Sequence, residues 1–157
     1  MTDLTHPSPN YGTRNGSPIQ VVVMHCDAGT SDAGTLAWCA DPASKVSYHV
    51  LVGRNGGAFT MVDPKHRAWH CGKSEWNGVK DVNTISLGLS FANRGDGMEP
   101  LTPIQIAVAQ GIIQYWRQEY PGIAVTTHAA VATPAGRKTD PLKCPGFQLE
   151  DYIGEYP

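Results

Sequence analysis

The sequence predicts an α/β fold, a single domain over residues 1–157 in which a mixed β-sheet of about five to six strands is flanked by helices. Short β-branched runs alternate along the chain with stretches of helical periodicity. One pair of strand-like runs is joined by an Asn-Gly turn, which is typical of a β-hairpin. A chain of 157 residues is also long enough to bury one hydrophobic core.

The predicted elements begin after an irregular segment. Residues 1–18 are rich in Pro, Gly, Asn and Ser, so we expect no regular structure there. Residues 19–24 form a short β-branched run, which indicates a buried strand that ends at His25. A short helix is expected near residues 35–40 and a further strand over residues 85–92.

A hairpin is predicted between the helix and that further strand. Residues 46–52 and 58–62 are rich in β-branched and aromatic side chains, and they flank Asn55-Gly56. Asn and Gly both tolerate a positive φ, which the tight turns of hairpins require.

The second half of the chain contains the clearest helix signal. Thr102 is a good N-cap, Pro103 suits the first helical position, and Gln105 can complete a capping box. A buried strand is expected over residues 123–127, ending at His128. An apolar stripe along the helix should face the sheet, and it comprises Ile104, Val108, Ile112 and Trp116 with Ala109 and Ile113 alongside.

Composition and charge limit the partners. The formal net charge is −2 and there is no basic run, so we expect no nucleic-acid or membrane partner. We also expect the chain to be a monomer. The first residues lack the basic and apolar regions of a secretory signal, which predicts a protein that is cytoplasmic when made. The cysteines show no Cys-x-x-Cys pair, so we expect thiols at Cys26, Cys39, Cys71 and Cys144.

Three residues form a candidate metal site. His25 and His128 both end apolar runs, and strand ends are where mixed α/β sheets build sites. Asp140 lies in a loop punctuated by Gly and Pro, with Lys138 two residues before it. Two imidazoles and one carboxylate form the ligand set of a catalytic zinc site, and a neighbouring lysine suits stabilisation of an oxyanion. This pattern predicts metal-assisted hydrolysis.

Several separated motifs occur in a familiar order. They are Val21-Val22-Val23-Met24-His25, Ser47-Tyr48-His49, Arg67-Ala68-Trp69-His70-Cys71-Gly72, Asn83-Thr84-Ile85-Ser86-Leu87-Gly88-Leu89, and His128 with Gly136-Arg137-Lys138-Thr139-Asp140-Pro141. With these motifs the chain resembles the zinc-dependent N-acetylmuramoyl-L-alanine amidases, a group that contains phage lysozyme-type amidases, anhydro-muropeptide amidases and peptidoglycan recognition proteins. The similarity extends from Val21 to about Tyr152.

The resemblance implies a cofactor, a substrate and roles for individual residues. Zinc would be held by His25, His128 and Asp140, and the enzyme would cleave the bond between N-acetylmuramic acid and L-alanine in peptidoglycan or a muropeptide. The other implied roles are oxyanion stabilisation by Lys138, a catalytic place near the metal for Tyr48, and contacts with the glycan and stem peptide by Trp69 and His70.

Two points stay open within the resemblance. Some members carry a glutamate as general base where this chain has Ser90, so either Tyr48 accepts the proton or no strong acceptor is needed. Cys144 begins a Cys-Pro-Gly sequence that supplies the third ligand in other branches. Asp140 is favoured over Cys144, because Lys138 stands two residues before Asp140 whereas Leu142 stands before Cys144.

The biological role is predicted from the same residues. The combination of Tyr48 with Ser90 resembles the lysozyme-type branch, so we expect a phage endolysin that acts on the bacterial cell wall after release. The alternatives are a cytosolic amidase that recycles anhydro-muropeptides and a module that binds peptidoglycan without cleaving it.

Overall fold

The computed structural model describes residues 5–153. The helices are α1 (Asp32–Ala40), α2 (Pro103–Glu119), α3 (His128–Val131) and α4 (Glu150–Ile153), with a 3-10 helix at Val82–Thr84. The strands are β1 (Tyr11–Thr13), β2 (Val21–Cys26), β3 (Val50–Val52), β4 (Ala58–Thr60), β5 (His66–Ala68), β6 (Glu75–Trp76), β7 (Val79–Lys80), β8 (Ser86–Phe91) and β9 (Ala124–Thr127).

The main sheet has five strands in the order β4-β3-β8-β2-β9. β2 pairs in parallel with both β8 and β9, β3 pairs in parallel with β8, and β4 runs antiparallel to β3. Every residue of β2 and β8 is buried, as expected for central parallel strands covered on both faces. The predicted fold class, a mixed sheet flanked by helices, is confirmed.

The Asn-Gly turn joins β3 to β4 as predicted, and their pairing is antiparallel. Gly56 supplies the positive φ of the turn, at +80°. The regular strands of the hairpin, Val50–Val52 and Ala58–Thr60, are shorter than predicted. Tyr48 therefore precedes the first strand of the hairpin.

Helix α2 begins with the predicted capping box. The Thr102 hydroxyl accepts from the Gln105 amide, and the Gln105 side chain accepts from the Thr102 amide. The same Gln105 side chain is buried and donates to the carbonyls of Val52 and Ala92, so it also ties the helix to the sheet. The buried apolar face of the helix is rotated from the predicted stripe and comprises Ala109, Ile113 and Trp116. Ile104 is instead 52% exposed and lies over the hairpin turn.

The N-terminal segment is more ordered than the sequence indicated. Tyr11–Thr13 pairs with β5, and Arg14 directly after it is buried. The Arg14 guanidinium donates to carbonyls of Pro64, Thr84 and Ser86 at 2.7–2.9 Å. These acceptors lie far along the chain, so the local composition gave no signal for them. Within the described residues no helix is both long and apolar enough to cross a membrane.

His49 is buried beside Arg14. Its Nδ1 accepts from the Gly88 amide at 2.8 Å, and burial together with the Arg14 charge lowers the pKa of His49 to about 3. Because the unfolded chain binds this proton near pH 6.5, the neutral ring contributes stability that is lost as the pH falls from 6.5 towards 3.

We expect His49→Asn to flatten the acid dependence of stability. Asparagine can still accept from the Gly88 amide but cannot take up a proton. Between pH 6.5 and 4, the free energy of unfolding of the parent should fall more steeply than that of the variant, by up to about 1.4 kcal/mol per pH unit. Urea unfolding of metal-free protein at several pH values measures this, and parallel curves for the two proteins would contradict it.

Candidate metal centre

The carboxyl ends of parallel strands meet at one edge of the main sheet. β2 carries His25 near its end, and His128 follows β9 directly, in the first turn of α3. The register pairs Met24 with Thr127, so the two histidines that follow lie side by side with ring centroids 4.5 Å apart. Parallel pairing therefore brings together two residues that are far apart in the sequence.

Asp140 reaches both imidazoles from the loop after α3. Its carbonyl oxygen accepts from the Ala129 amide at 2.9 Å, which ties this loop to α3. Asp140 Oδ1 lies 2.9 Å from His128 Nδ1, and Oδ2 lies 3.4 Å from His25 Nδ1. The donor atoms of the three residues all lie within 4.8 Å of one another. Two nitrogens and one oxygen in this arrangement could hold a zinc ion.

The far side of His128 indicates which nitrogen is free to bind a metal. His128 Nε2 lies 3.1 Å from the Cys71 carbonyl oxygen, and because a carbonyl only accepts, Nε2 carries the proton. In the neutral ring, Nδ1 then points a lone pair at the Asp140 carboxylate, which also only accepts. A cation between two such acceptors relieves their repulsion, so the donor set fits a bound metal ion.

The protonation states at this site also suit a metal. Burial lowers the pKa of His25 to about 4, so its imidazole is neutral at neutral pH. Burial would raise the pKa of Asp140, but the neighbouring His128 and His25 outweigh this effect and hold that pKa well below its usual range. A neutral imidazole and an ionised carboxylate are the forms that bind metal ions.

A cavity of about 530 Å³ opens beside the three residues. Lys138, Tyr48 and Trp69 line it together with the histidines and Asp140, so the structure brings these predicted site residues together. Lys138 is exposed and Trp69 is half-buried. Arg137 also lines the cavity, and it donates to the carbonyls of Cys71 and Lys73.

Tyr48 lies against His25, with ring centroids 5.3 Å apart. Burial raises the pKa of Tyr48 well above its usual value, so the phenol keeps its proton at neutral pH. Ser90, at the position of the glutamate of some relatives, pairs with His25 in the β2–β8 register and is fully buried. A neutral phenol and a serine hydroxyl are both poor proton acceptors.

His70 lies behind His25 rather than in front of it. Its Nδ1 is 2.9 Å from His25 Nε2, and only 7% of the residue is exposed. His70 lines the cavity with Trp69, but its ring leaves little surface for the substrate contact that the resemblance implied.

The structure corrects the predictions for Cys144. Its sulfur is bonded to that of Cys26, and the residue is buried in the hydrophobic core with Phe147 and Tyr152. A sulfur engaged in a disulfide is not a thiolate, so the alternative of Cys144 as third ligand is wrong, as is the expectation of thiols at Cys26 and Cys144. Cys39 and Cys71 are buried thiols, as predicted.

Asn83 is a supporting residue that the sequence did not reveal. Its side-chain oxygen accepts from the amides of both His70 and Cys71, at 3.1 and 2.9 Å. It thereby fixes the segment that contacts both imidazoles. The available signal was an amide side chain three residues before the start of the buried strand β8, but such residues are also common in loops.

The family described as N-acetylmuramoyl-L-alanine amidase matches residues 15–143. The chain belongs to this family. The 1,6-anhydro-N-acetylmuramyl-L-alanine amidase AmpD of Salmonella typhimurium is 32% identical over 155 residues, which cover 86% of this chain and 81% of that protein. N-acetylmuramoyl-L-alanine amidase A of Achromobacter lyticus is 39% identical over 88 residues, and the match spans 55% of this chain and only 44% of that relative.

Solved amidase structures share the fold. A crystal structure of a selenomethionine derivative of AmpD has a TM-score of 0.80 at 26% identity, covering 94% of this chain and 90% of that one. The amidase AmiD of Escherichia coli, in complex with anhydro-N-acetylmuramic acid-L-Ala-D-γ-Glu-L-Lys, has a TM-score of 0.69 at 28% identity, covering 89% of this chain and 56% of that one.

For this amidase-family chain we expect Asp140→Asn to weaken zinc binding. The amide is neutral and a poorer ligand, so the loss of affinity should exceed the ~100-fold that follows removal of an outer contact. Competition with a chromophoric chelator measures the dissociation constant. Asp151→Asn, an exposed acid in α4, is the matched control. Undiminished affinity in Asp140→Asn would exclude this ligand set.

Proposed function

We propose that this protein hydrolyses the amide bond between N-acetylmuramic acid and L-alanine, with a zinc ion held by His25, His128 and Asp140. The observation that carries the proposal is the convergence of two imidazole nitrogens and one carboxylate oxygen within 4.8 Å beside a cavity. Because the chain belongs to the amidase family, we assign hydrolysis of an amide bond to this donor set. A complete donor set also disfavours the module that only binds peptidoglycan.

Residues around the donor set would have separate roles in the reaction. Bound zinc would supply a Lewis acid that polarises the scissile carbonyl. Lys138 lines the same cavity, where its ammonium group would stabilise the negative charge that develops on the carbonyl oxygen. Tyr48 keeps its proton, so we assign it hydrogen-bond donation instead of proton abstraction. Neither Tyr48 nor Ser90 then serves as the general base.

The charges of the cavity favour an anionic substrate. Lys45, Arg137 and Lys138 line it together with two carboxylates. Asp140 is engaged with the imidazoles, and the carboxylate of Asp27 accepts hydrogen bonds from neighbouring residues. The stem peptide carried by muramic acid contains carboxylates, so a cationic cavity matches its charge. The substrate class is therefore a muramoyl peptide whose stem peptide lies along these cations.

We further propose that this substrate is a soluble anhydromuramyl peptide. The Salmonella typhimurium relative, most of whose length is matched, is a 1,6-anhydro-N-acetylmuramyl-L-alanine amidase. The AmiD structure contains an anhydromuramyl peptide. These similarities favour the recycling alternative over the endolysin that the sequence predicted, and they outweigh the lysozyme-type pairing of Tyr48 with Ser90. The cytoplasmic location stays a prediction.

The test compares two substrates at equal zinc. We expect purified protein to release stem peptide from anhydromuramyl tripeptide much faster than from intact murein sacculi, with the product detected by mass spectrometry. A chelator should abolish release and added zinc should restore it. Faster digestion of sacculi would favour the endolysin, and binding to sacculi without cleavage of either substrate would favour the binding module.

Lys138→Ala should lower kcat by ~10²–10³ without loss of zinc, because the lysine acts on charge that develops only in the transition state. Lys143→Ala is the matched control, since Lys143 is an exposed lysine of the same loop that does not line the cavity. Steady-state kinetics and zinc content are measured on all three proteins. Equal kcat values for the parent and Lys138→Ala would remove the lysine from the reaction.

A further inference from the structure

His70 makes the contact that orients the first candidate ligand. His70 Nδ1 lies 2.9 Å from His25 Nε2, and the two rings meet edge to face at 89°. We infer that His70 is a positioning residue, which accepts the Nε2 proton of His25 and thereby holds the Nδ1 lone pair of His25 towards the metal. This inference rests on the zinc site of the proposed function.

The positions of the protons follow from the neighbours of each ring. A neutral imidazole carries one N–H, and His25 Nδ1 faces the Asp140 carboxylate, so Nδ1 must be bare for it to bind a metal there. The proton then sits on His25 Nε2, and the hydrogen-bonding partner of Nε2 within residues 5–153 is His70 Nδ1. His70 must therefore present a lone pair at Nδ1.

The far side of His70 allows this arrangement. His70 Nε2 lies 3.2 Å from the Ser86 hydroxyl, whose oxygen can accept the remaining proton of the ring. The Cys71 thiol, 3.1 Å from His70 Nδ1, is at most a weak donor to the same lone pair. A chain of hydrogen bonds thus runs from His25 through His70 to Ser86, with each proton in a defined place.

The surroundings hold the His70 ring in this place. Asn83 fixes the backbone by accepting from the amides of His70 and Cys71. The ring packs on the backbone of Gly88 in β8, where a Cβ would lie only 2.7 Å from the ring atoms. The absence of a side chain at Gly88 is therefore what gives the ring room behind His25.

One short segment orients both imidazoles. The side chain of His70 contacts His25 Nε2, and the backbone carbonyl of the next residue, Cys71, contacts His128 Nε2 at 3.1 Å. Outer contacts of this kind fix the tautomer and the ring orientation of histidine ligands. The motif that the resemblance linked to substrate thus supports the metal from behind.

The test pairs two variants of His70. His70→Asn keeps an acceptor near the position of Nδ1, whereas His70→Leu has a similar bulk and no acceptor. We expect zinc affinity, measured by chelator competition, to fall ~10–100-fold in His70→Leu and to be largely rescued in His70→Asn. At saturating zinc, KM for anhydromuramyl tripeptide should stay near the parent value in both variants.

Two results would overturn the inference. Parent-like zinc affinity in His70→Leu with a raised KM would make His70 a substrate contact, and equal losses in both folded variants would make it packing alone. If His70→Leu does not fold, ¹⁵N NMR of the zinc-loaded parent decides, because the inference requires protons on Nε2 of both His25 and His70. The opposite tautomer at His70 would refute it.

The outcome for His70 is separable from the outcome for the reaction. Zinc binding that depends on the acceptor at position 70, without cleavage of any muramoyl peptide, would leave the inference standing and defeat the proposed function. Cleavage of a muramoyl peptide, combined with a zinc affinity that does not depend on that acceptor, would support the proposed function and refute the inference. A parent that binds no zinc would defeat both.

Discussion

The candidate site depends on the parallel pairing of β2 with both β8 and β9. This pairing brings the carboxyl ends of the strands to one edge, where His25, Ser90 and His128 meet. Because β2 is buried on both faces, a slip of one residue would turn His25 to the other face and place an apolar side chain at the site. Packing of the core and geometry of the site are therefore fixed by the same hydrogen bonds.

Around this frame, the groups that could bind a metal are held by contacts on their far sides. His128 is held by the Cys71 carbonyl, His25 by His70, and the loop of Asp140 by the Ala129 amide. Each contact satisfies a polar group that would be costly to bury alone, and the contacts to the two histidines also direct an imidazole lone pair towards the Asp140 carboxylate. Burial makes the His25 imidazole neutral, while Asp140 keeps its charge beside the open cavity.

Sequence signals within a few residues predicted the helices and strands well, but they did not predict contacts between residues far apart in the chain. The capping box at Thr102 and the turn at Gly56 depend on neighbours within a few residues, and both are confirmed. The disulfide of Cys26 with Cys144 joins positions 118 residues apart, and no spacing rule in the sequence pointed to it. The same holds for Arg14, whose carbonyl partners lie 50 to 72 residues along the chain.

The sequence by itself determined the sheet class, the family and the candidate ligands His25, His128 and Asp140, because apolar periodicity and motif order are properties of the chain alone. Only the tertiary structure decided which atoms face one another. It removed Cys144 from the ligand set and brought His70 Nδ1 against His25 Nε2. The physical reason is that hydrogen-bond direction and burial depend on neighbours in space, which strand register and loop path bring together.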